Sequence, residues 1–241
     1  MQEVYSVTDV GITRKVNQDF IFASKTPVGN LPNLFIVADG MGGHKAGDFA
    51  SKCAVEVMVN EIKEDNSSHN QKEILTSAIQ KANEVVYGIS LANEEMQGMG
   101  TTLVVATCDE NCLRVFNVGD SRLYIMKEEL EQITIDHSYE EELVRKFGID
   151  RREASSNENK GKITRAIGVA DELEVDYFEI EVVEGIYILM CTDGLNNMVQ
   201  DKQIEQIITI NETVMQKAIN LIETANFNGG KDNISVILMK L

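Results

Sequence analysis

Four aspartates stand at the ends of segments that have the composition of buried strands, and their carboxylates could bind metal ions together. Asp39, Asp120 and Asp193 each follow such a segment, whereas Asp232 precedes one. In an antiparallel sheet the end of one strand lies beside the start of its neighbour, so we expect all four carboxylates to meet at one sheet edge. Like charges at that distance raise one another's pKa and destabilise the fold unless cations neutralise them. Ligand sets made only of oxygen suit Mg²⁺ or Mn²⁺ and disfavour Zn²⁺.

The glycine that follows Asp39 fits this interpretation, although a simpler one stays open. Gly40 could offer its carbonyl oxygen to a cation, because a residue without a Cβ leaves room for substrate or water. Asp-Gly is also a frequent turn dipeptide, and residues 229–233 could be ordinary loop. The recurrence of an aspartate after several buried strands is what favours metal binding.

The elements that must position these side chains follow from the spacing of apolar residues. Short runs rich in Val, Ile and Leu, bounded by turn residues, predict strands. They cover 4–11, 33–39, 101–108, 112–120, 122–127, 186–193 and 233–241. Apolar residues at three- and four-residue steps predict helices. These cover 46–63, 71–92, 202–209 and 214–225. A further short helix over 138–148 is expected to end at Gly148.

The order of these elements predicts an α+β fold. Strands and helices do not alternate regularly, which argues against a parallel doubly wound sheet, and strands that are apolar on both faces need cover on both. We therefore expect a four-layer sandwich of two antiparallel β-sheets flanked by pairs of α-helices. No linker rich in Ser, Gly or Pro divides residues 1–241, so a single domain is predicted. The polar segment 148–165 is either a solvent-exposed loop or a mobile lid beside a site.

Charge and cysteine content limit the compartment and the partners. A formal net charge of −17 argues against binding to nucleic acid or to anionic lipid, both of which need basic surfaces. The sequence shows neither a secretion signal nor an apolar run long enough to span a membrane, so we expect a cytoplasmic protein. Its four cysteines are expected to be reduced and packed. Cys108 and Cys112 flank a turn, however, which leaves a disulfide or half of a zinc site open.

Eight short motifs occur in order along essentially the whole chain. They are GITRKVNQD (11–19), VADGMGGHKAG (37–47), GTT (100–102), VGDSRLY (118–124), DHS (136–138), ITRAIG (163–168), CTDGL (191–195) and GGKDNISVI (229–237). Together they resemble the metal-dependent Ser/Thr protein phosphatases of the type 2C (PPM) family in their compact bacterial form. That family has a central pair of antiparallel sheets flanked by helices, in agreement with the sandwich expected above. Residues 148–165 match the family's flap, a variable segment beside the site.

The resemblance implies metal ligands at five positions of this chain. Asp39 would bridge two Mn²⁺ or Mg²⁺ ions, and the carbonyl oxygen of Gly40 would bind one of them. Asp193 and Asp232 would complete the shell of the other ion. Asp120, together with Asp193, would hold the third ion that is often seen in bacterial members.

The resemblance also implies a reaction and partners. Asp19 would orient metal-bound waters, and Arg14 would receive the substrate phosphate through its planar guanidinium group. The two ions would lower the pKa of a bridging water, and the resulting hydroxide would attack phosphorus in line without a covalent phosphoenzyme. The implied partners are phosphorylated proteins and a cognate cytoplasmic Ser/Thr kinase whose action the enzyme reverses. We expect a monomer.

The chain departs from the family pattern at two places. Some members have a histidine directly after the Asp-Gly pair and use it as general acid, but Met41 stands there in this chain. His44 could protonate the leaving oxygen instead, or a metal-bound water could do so while His44 serves the start of the helix. Where the family often has Glu-Asp, this chain has Gln18 and Asp19, so we expect weaker metal binding because one acidic group is missing.

The sequence argues against two other classes of protein. An inactive scaffold of the same fold could bind phosphoproteins, but inactive members usually lack a core metal aspartate, and all four are present here. A phosphatase with an aspartyl nucleophile would need two aspartates one residue apart on a loop at a strand end. No such pair follows the predicted strands.

Overall fold

A computed structural model describes residues 3–43, 46–159 and 161–241. Its strands are β1 (Glu3–Asp9), β2 (Asp19–Ser24), β3 (Leu34–Met41), β4 (Gly100–Thr101), β5 (Leu103–Cys108), β6 (Cys112–Val118), β7 (Arg122–Met126), β8 (Leu130–Gln132), β9 (Asp176–Glu181), β10 (Tyr187–Cys191) and β11 (Ile234–Lys240). Its α-helices are α1 (Ala46–Glu64), α2 (Gln71–Ala92), α3 (Tyr139–Phe147), α4 (Arg151–Ser155), α5 (Asp193–Asn196), α6 (Asp201–Thr209) and α7 (Val214–Phe227).

The strands form two antiparallel sheets. The first sheet has the order β1-β11-β10-β7-β8, and the second has the order β2-β3-β5-β6-β9, with β4 paired to β3. Between the sheets lies a core of apolar side chains that includes Phe35 and Val104 from the second sheet and Leu123 and Ile188 from the first. The hydrophobic effect therefore holds the sheets face to face.

The outer face of each sheet is covered by helices, which completes the four layers. Apolar side chains of α1 and α2, such as Ile62 and Leu75, pack in one cluster with residues of β3 and β5. Apolar side chains of α6 and α7, such as Ile204 and Leu221, pack with residues of β10 and β11. The predicted sandwich of two antiparallel sheets flanked by helices is confirmed.

The ends of two helices follow directly from local sequence. Helix α2 starts with a capping box, in which the side chain of Asn70 accepts from the backbone N–H of Glu73 and the side chain of Glu73 accepts from that of Asn70. Helix α3 has Ser138 as its N-cap and ends at Gly148, which adopts a φ of 67°. A glycine enters this left-handed region without the steric penalty that a Cβ causes, as the sequence predicted.

The sequence did not predict β2, β8 and β9, and it misplaced some boundaries. These strands are short and only partly buried, and all three lie at sheet edges, so they lack the continuous apolar runs of the other strands. Strand β3 extends beyond the predicted end, so Asp39 and Gly40 lie inside it rather than after it. The segment 148–165 contains α4, whose Arg151 forms an ion pair with Glu141 of α3 at 2.7 Å.

Two further findings concern membranes and cysteines. Within the described residues, no helix combines the length and apolar character that crossing a membrane requires. Cys53, Cys108, Cys112 and Cys191 are all free thiols, so Cys108 and Cys112 do not form the disulfide that the sequence left open.

Candidate metal and phosphate site

Five aspartates from distant parts of the chain meet at one edge of the two sheets. The register between β2 and β3 places Asp19 directly opposite Asp39. Asp193 begins α5 just beyond β10, Asp232 lies just before β11, and Asp120 follows β6. All four of the other carboxylates are close enough to Asp39 to raise its pKa, in addition to the larger effect of its burial. The structure therefore brings together the aspartates that the sequence singled out.

The cluster is electrostatically unfavourable while it holds only carboxylates. Burial raises the pKa of Asp19 to about 7, although hydrogen bonds from two hydroxyl groups oppose this shift. Burial and the charge of Asp193 raise the pKa of Asp120 to about 7. Burial and the charge of Asp232 raise the pKa of Asp193 to about 6. A bound cation would favour the ionised form of each group and so offset this penalty.

The donors at this edge fit a hard divalent cation. Asp19, Asp120 and Asp193 each have a buried Oδ1 that accepts no hydrogen bond from any residue that the structure describes. In the described part of the chain, no three His, Cys, Asp or Glu side chains are already grouped as a complete ligand set. The carboxylates thus influence one another electrostatically and have oxygens available to a cation. Unpaired carboxylate oxygens suit Mg²⁺ or Mn²⁺.

Two buried hydroxyl groups fix the orientation of Asp19. Thr192 Oγ1 donates to Asp19 Oδ2 at 2.8 Å, and Ser235 Oγ donates to the same oxygen at 2.7 Å. The backbone N–H of Ser235 in turn donates to Thr192 Oγ1 at 2.9 Å. With Oδ2 held in this way, Asp19 Oδ1 is left for another partner. Sequence reasoning did not identify either hydroxyl group, although both lie in the sequence motifs. Thr192 directly precedes Asp193, and Ser235 lies three residues after Asp232.

Gly40 lies where the backbone leaves no room for a side chain. A Cβ at this position would overlap the carbonyl oxygen of Gly47 in α1 and would lie 2.7 Å from the carbonyl oxygen of Gln18. The Gly40 N–H donates to that same Gln18 oxygen at 3.0 Å. Close packing of three backbone segments, rather than a turn, therefore requires glycine at this position.

The GTT motif connects Asp39 to the turn that carries Asp120. The backbone N–H of Asp39 donates to Thr102 Oγ1 at 3.0 Å, and Thr101 Oγ1 donates to the carbonyl oxygen of Asp39 at 2.9 Å. Thr102 Oγ1 also shares a hydrogen bond of 2.7 Å with Ser121 Oγ, the residue after Asp120. These bonds fix the backbone of two candidate ligands relative to each other.

Arg14 lies on the loop between β1 and β2, next to the carboxylate cluster. Its Nη2 donates to Asp232 Oδ2 at 2.7 Å, and its side chain is 49% exposed. The loop is held in place because Asn233 Nδ2 donates to the carbonyl oxygens of Val10 and Val16. A guanidinium group has five N–H donors, so most of those on Arg14 are available to a phosphate group.

Two histidines, His44 and His137, lie in the sequence motifs, and the structure describes only His137. His44, a candidate general acid, lies outside the described residues. His137 is buried, and its Nδ1 accepts from the backbone N–H of Gly119 at 3.1 Å, directly before Asp120. Burial lowers the pKa of His137, which favours the neutral ring that this hydrogen bond needs. His137 therefore supports the turn that carries Asp120.

Comparison with known proteins identifies the family. The sequence profile of the protein phosphatase 2C family matches residues 12–228. The chain belongs to the protein phosphatase 2C family. The resemblance found in the sequence and the predicted enzyme class, a protein phosphatase, are thereby confirmed.

Individual relatives agree with this assignment. The chain is 39% identical over 239 residues to the serine/threonine phosphatase stp of Listeria monocytogenes serotype 4b, covering 97% of this chain and 93% of that protein. It is similar in structure to the serine/threonine phosphatase of S. agalactiae, with a TM-score of 0.91, 34% identity and coverage of 98% of both chains. The catalytic domain of the phosphatase PstP, solved in complex with two manganese ions, has a TM-score of 0.84 and 31% identity, with 98% of this chain and 96% of that one covered.

Proposed function

We propose that this protein is a Mn²⁺- or Mg²⁺-dependent phosphatase that hydrolyses phosphoserine and phosphothreonine in proteins. The observation that carries the proposal is a set of three buried carboxylate oxygens, on Asp19, Asp120 and Asp193, at the edge where Arg14 also lies. None of the three has a hydrogen-bond partner within residues 3–43, 46–159 and 161–241. The names of the relatives, all serine/threonine or protein phosphatases, support the substrate class.

The carboxylates of this chain would hold the ions. We assign Asp39, the carbonyl oxygen of Gly40, Asp193 and Asp232 to two core ions, and Asp120 with Asp193 to a third. When bound, these ions would supply hydroxide for direct attack on phosphorus at neutral pH, because a divalent cation lowers the pKa of a water that it binds. The two-manganese complex of PstP supports the choice of metal.

The remaining groups orient the substrate and the attacking water. Asp19, held by Thr192 and Ser235, keeps one oxygen in a fixed direction and can accept a hydrogen bond from water there. Arg14 binds the non-bridging oxygens of the phosphate and stabilises the charge that they carry during the reaction. His44 is assigned to deliver a proton to the leaving serine or threonine oxygen, with a water molecule as the alternative donor.

The biological setting is part of the proposal. We propose that the enzyme acts as a monomer in the cytoplasm and reverses the action of a cognate Ser/Thr kinase on phosphorylated proteins. The strongly acidic composition, with 39 acidic residues against 22 basic ones, supports substrates other than nucleic acid.

The deciding experiment measures phosphate release from phosphoserine and phosphothreonine peptides by the purified protein. We expect release that requires Mn²⁺ or Mg²⁺, stops with EDTA, and is lost in Asp193→Asn. Asp171→Asn is the matched control, since it makes the same chemical change at an exposed aspartate outside the cluster.

Two results would contradict the proposal. Release that continues at full rate in EDTA would exclude the metal mechanism. A folded wild-type protein that binds the peptides but never releases phosphate would identify the inactive scaffold instead.

A further inference from the structure

A polar cavity lies at the strand ends of the first sheet that are opposite to the carboxylate cluster. It has a volume of about 360 Å³ and is lined by the ends of β7, β10 and β11 and by the connection between α6 and α7. Tyr187 at the start of β10 pairs with Lys240 of β11 and Met126 of β7, and all three line the cavity. Strand β10 lies between this cavity and the carboxylate cluster. The strand is about 13 Å long, at a rise of about 3.3 Å per residue. We call the cavity at these strand ends the lysine cavity.

The most unusual group in the lysine cavity is a buried lysine with neutral partners. Lys217 is only 3% exposed. Its Nζ donates to Tyr187 Oη at 2.8 Å and to the carbonyl oxygen of Ile208 at 2.6 Å, and it lies 4.1 Å from the centre of the Tyr187 ring. An ammonium group has three N–H donors, so these two bonds leave one donor over. Burying a charge without an opposite charge is unfavourable, which makes this site receptive to an anion.

Two further lysines line the same cavity. Lys127 directly follows β7 and Lys240 ends β11, the two strands that flank β10, and Lys240 Nζ lies 5.6 Å from the centre of the Tyr187 ring. Across the residues that the structure describes, none of the three ammonium groups has a carboxylate within the 4.0 Å of an ion pair. Lysines without acidic partners are unexpected in a chain whose formal net charge is −17.

The one carboxylate among the described lining residues is already engaged. Glu212 Oε2 accepts from Asn220 Nδ2 at 2.8 Å, which holds it on the α7 side of the cavity. The hydroxyl group of Tyr187 accepts from Lys217, so its own proton can be donated to a ligand. Lys217 also caps the last turn of α6 through Ile208, a structural role that does not involve Lys127 or Lys240.

We propose that the lysine cavity binds a phosphate group, either as inorganic phosphate or as a phosphoserine side chain of a protein. The three ammonium groups and the Tyr187 hydroxyl group donate charge-assisted hydrogen bonds to its oxygens. The cavity volume of about 360 Å³ accommodates a ligand of this size. This site is separate from the carboxylate cluster, and the inference does not depend on the proposed catalytic function.

Backbone amide NMR on the full Mg²⁺-loaded protein tests the proposal, because it reports separately on the two edges of the sheet. One titration uses millimolar inorganic phosphate at constant ionic strength, and another uses a peptide with a non-hydrolysable phosphonate analogue of phosphoserine. We expect the amides of Gly185, Tyr187 and Asn211 to shift. Tighter binding by the peptide than by phosphate at these amides would identify a phosphoprotein as the source, and equal binding would identify free phosphate.

Variants at the rim of the cavity make the test specific. The double variant Lys127→Gln, Lys240→Gln should bind phosphate at these amides about tenfold more weakly, as expected for the loss of charge-assisted bonds. Lys202→Gln at the opposite end of α6 makes the same type of charge change and should leave binding unchanged. The proposal is wrong if neither ligand shifts these amides, or if the double variant binds as tightly as the wild type.

Discussion

Thr192 links β10, β11 and Asp19, and its replacement by valine removes this link while preserving the side-chain shape. The hydroxyl group donates to Asp19 Oδ2 and accepts from the backbone N–H of Ser235. Losing a hydrogen bond to a carboxylate, and leaving a buried N–H without a partner, should lower the free energy of unfolding by about 2–5 kcal/mol. The Thr192 bond also lowers the pKa of Asp19, which is about 7 even with the bond in place. In Thr192→Val the carboxylate should therefore be protonated more often at neutral pH.

The larger effect should appear in metal binding. Asp19 is proposed to orient metal-bound water, and removing a group that supports the outer shell of a metal site typically weakens metal affinity by about 10–100-fold. We expect the Mn²⁺ concentration that gives half-maximal hydrolysis of p-nitrophenyl phosphate to rise by about this factor. Calorimetric titration of Mn²⁺ into the variant checks that the change lies in binding rather than in the chemical step.

A matched control separates metal binding from stability. Thr107 is as fully buried as Thr192, and its Oγ1 donates to the carbonyl oxygen of Asn33, away from the carboxylate cluster. Thr107→Val should lower the free energy of unfolding by about 1–3 kcal/mol and leave the Mn²⁺ midpoint unchanged. An unchanged midpoint in folded Thr192→Val, or an equal rise in both variants, would refute the role assigned to the hydroxyl group.

Three further predictions follow from the carboxylate cluster and its surroundings. In EDTA, the melting temperature should fall as the pH rises from about 5 to 8, because Asp19 and Asp120 have pKa values of about 7 in the folded protein and about 3.9 when unfolded. Because these pKa values are raised in the folded protein, the free energy of unfolding is highest below the unfolded pKa and falls as the pH rises through the folded pKa. A melting temperature that rises over this range would contradict the burial argument. Gly40→Ala should unfold or strongly destabilise the protein, since its Cβ would overlap a backbone carbonyl of α1. A Cβ at Gly43 would meet no described atom within 4 Å, so Gly43→Ala should melt close to the wild type. Arg14→Lys should lower kcat/KM about 10–100-fold because lysine lacks the planar fork, and an unchanged value would show that this arginine does not bind phosphate.

Local sequence was sufficient for the elements with strong periodicity. The apolar stripes of α1 and α2 predicted helices within a residue of those observed, because the three- and four-residue spacing is a property of each segment alone. The same reasoning failed for β2 and β9, whose burial depends on a neighbouring strand rather than on a continuous apolar run. Propensity cannot reveal a strand whose stability comes from its partner.

The same distinction between local sequence and tertiary contacts applies to the candidate site. The sequence by itself determined that Asp39, Asp120, Asp193 and Asp232 adjoin buried strands, and hence that a cluster of hard oxygen ligands was expected. Only the tertiary structure decided which groups hold Asp19, since Thr192 and Ser235 are 173 and 216 residues away from it in the chain. It likewise decided which lysines share a cavity at the far edge of the first sheet. The physical reason is that strand register depends on how two sheets pack through a common core, and no short stretch of sequence contains that information.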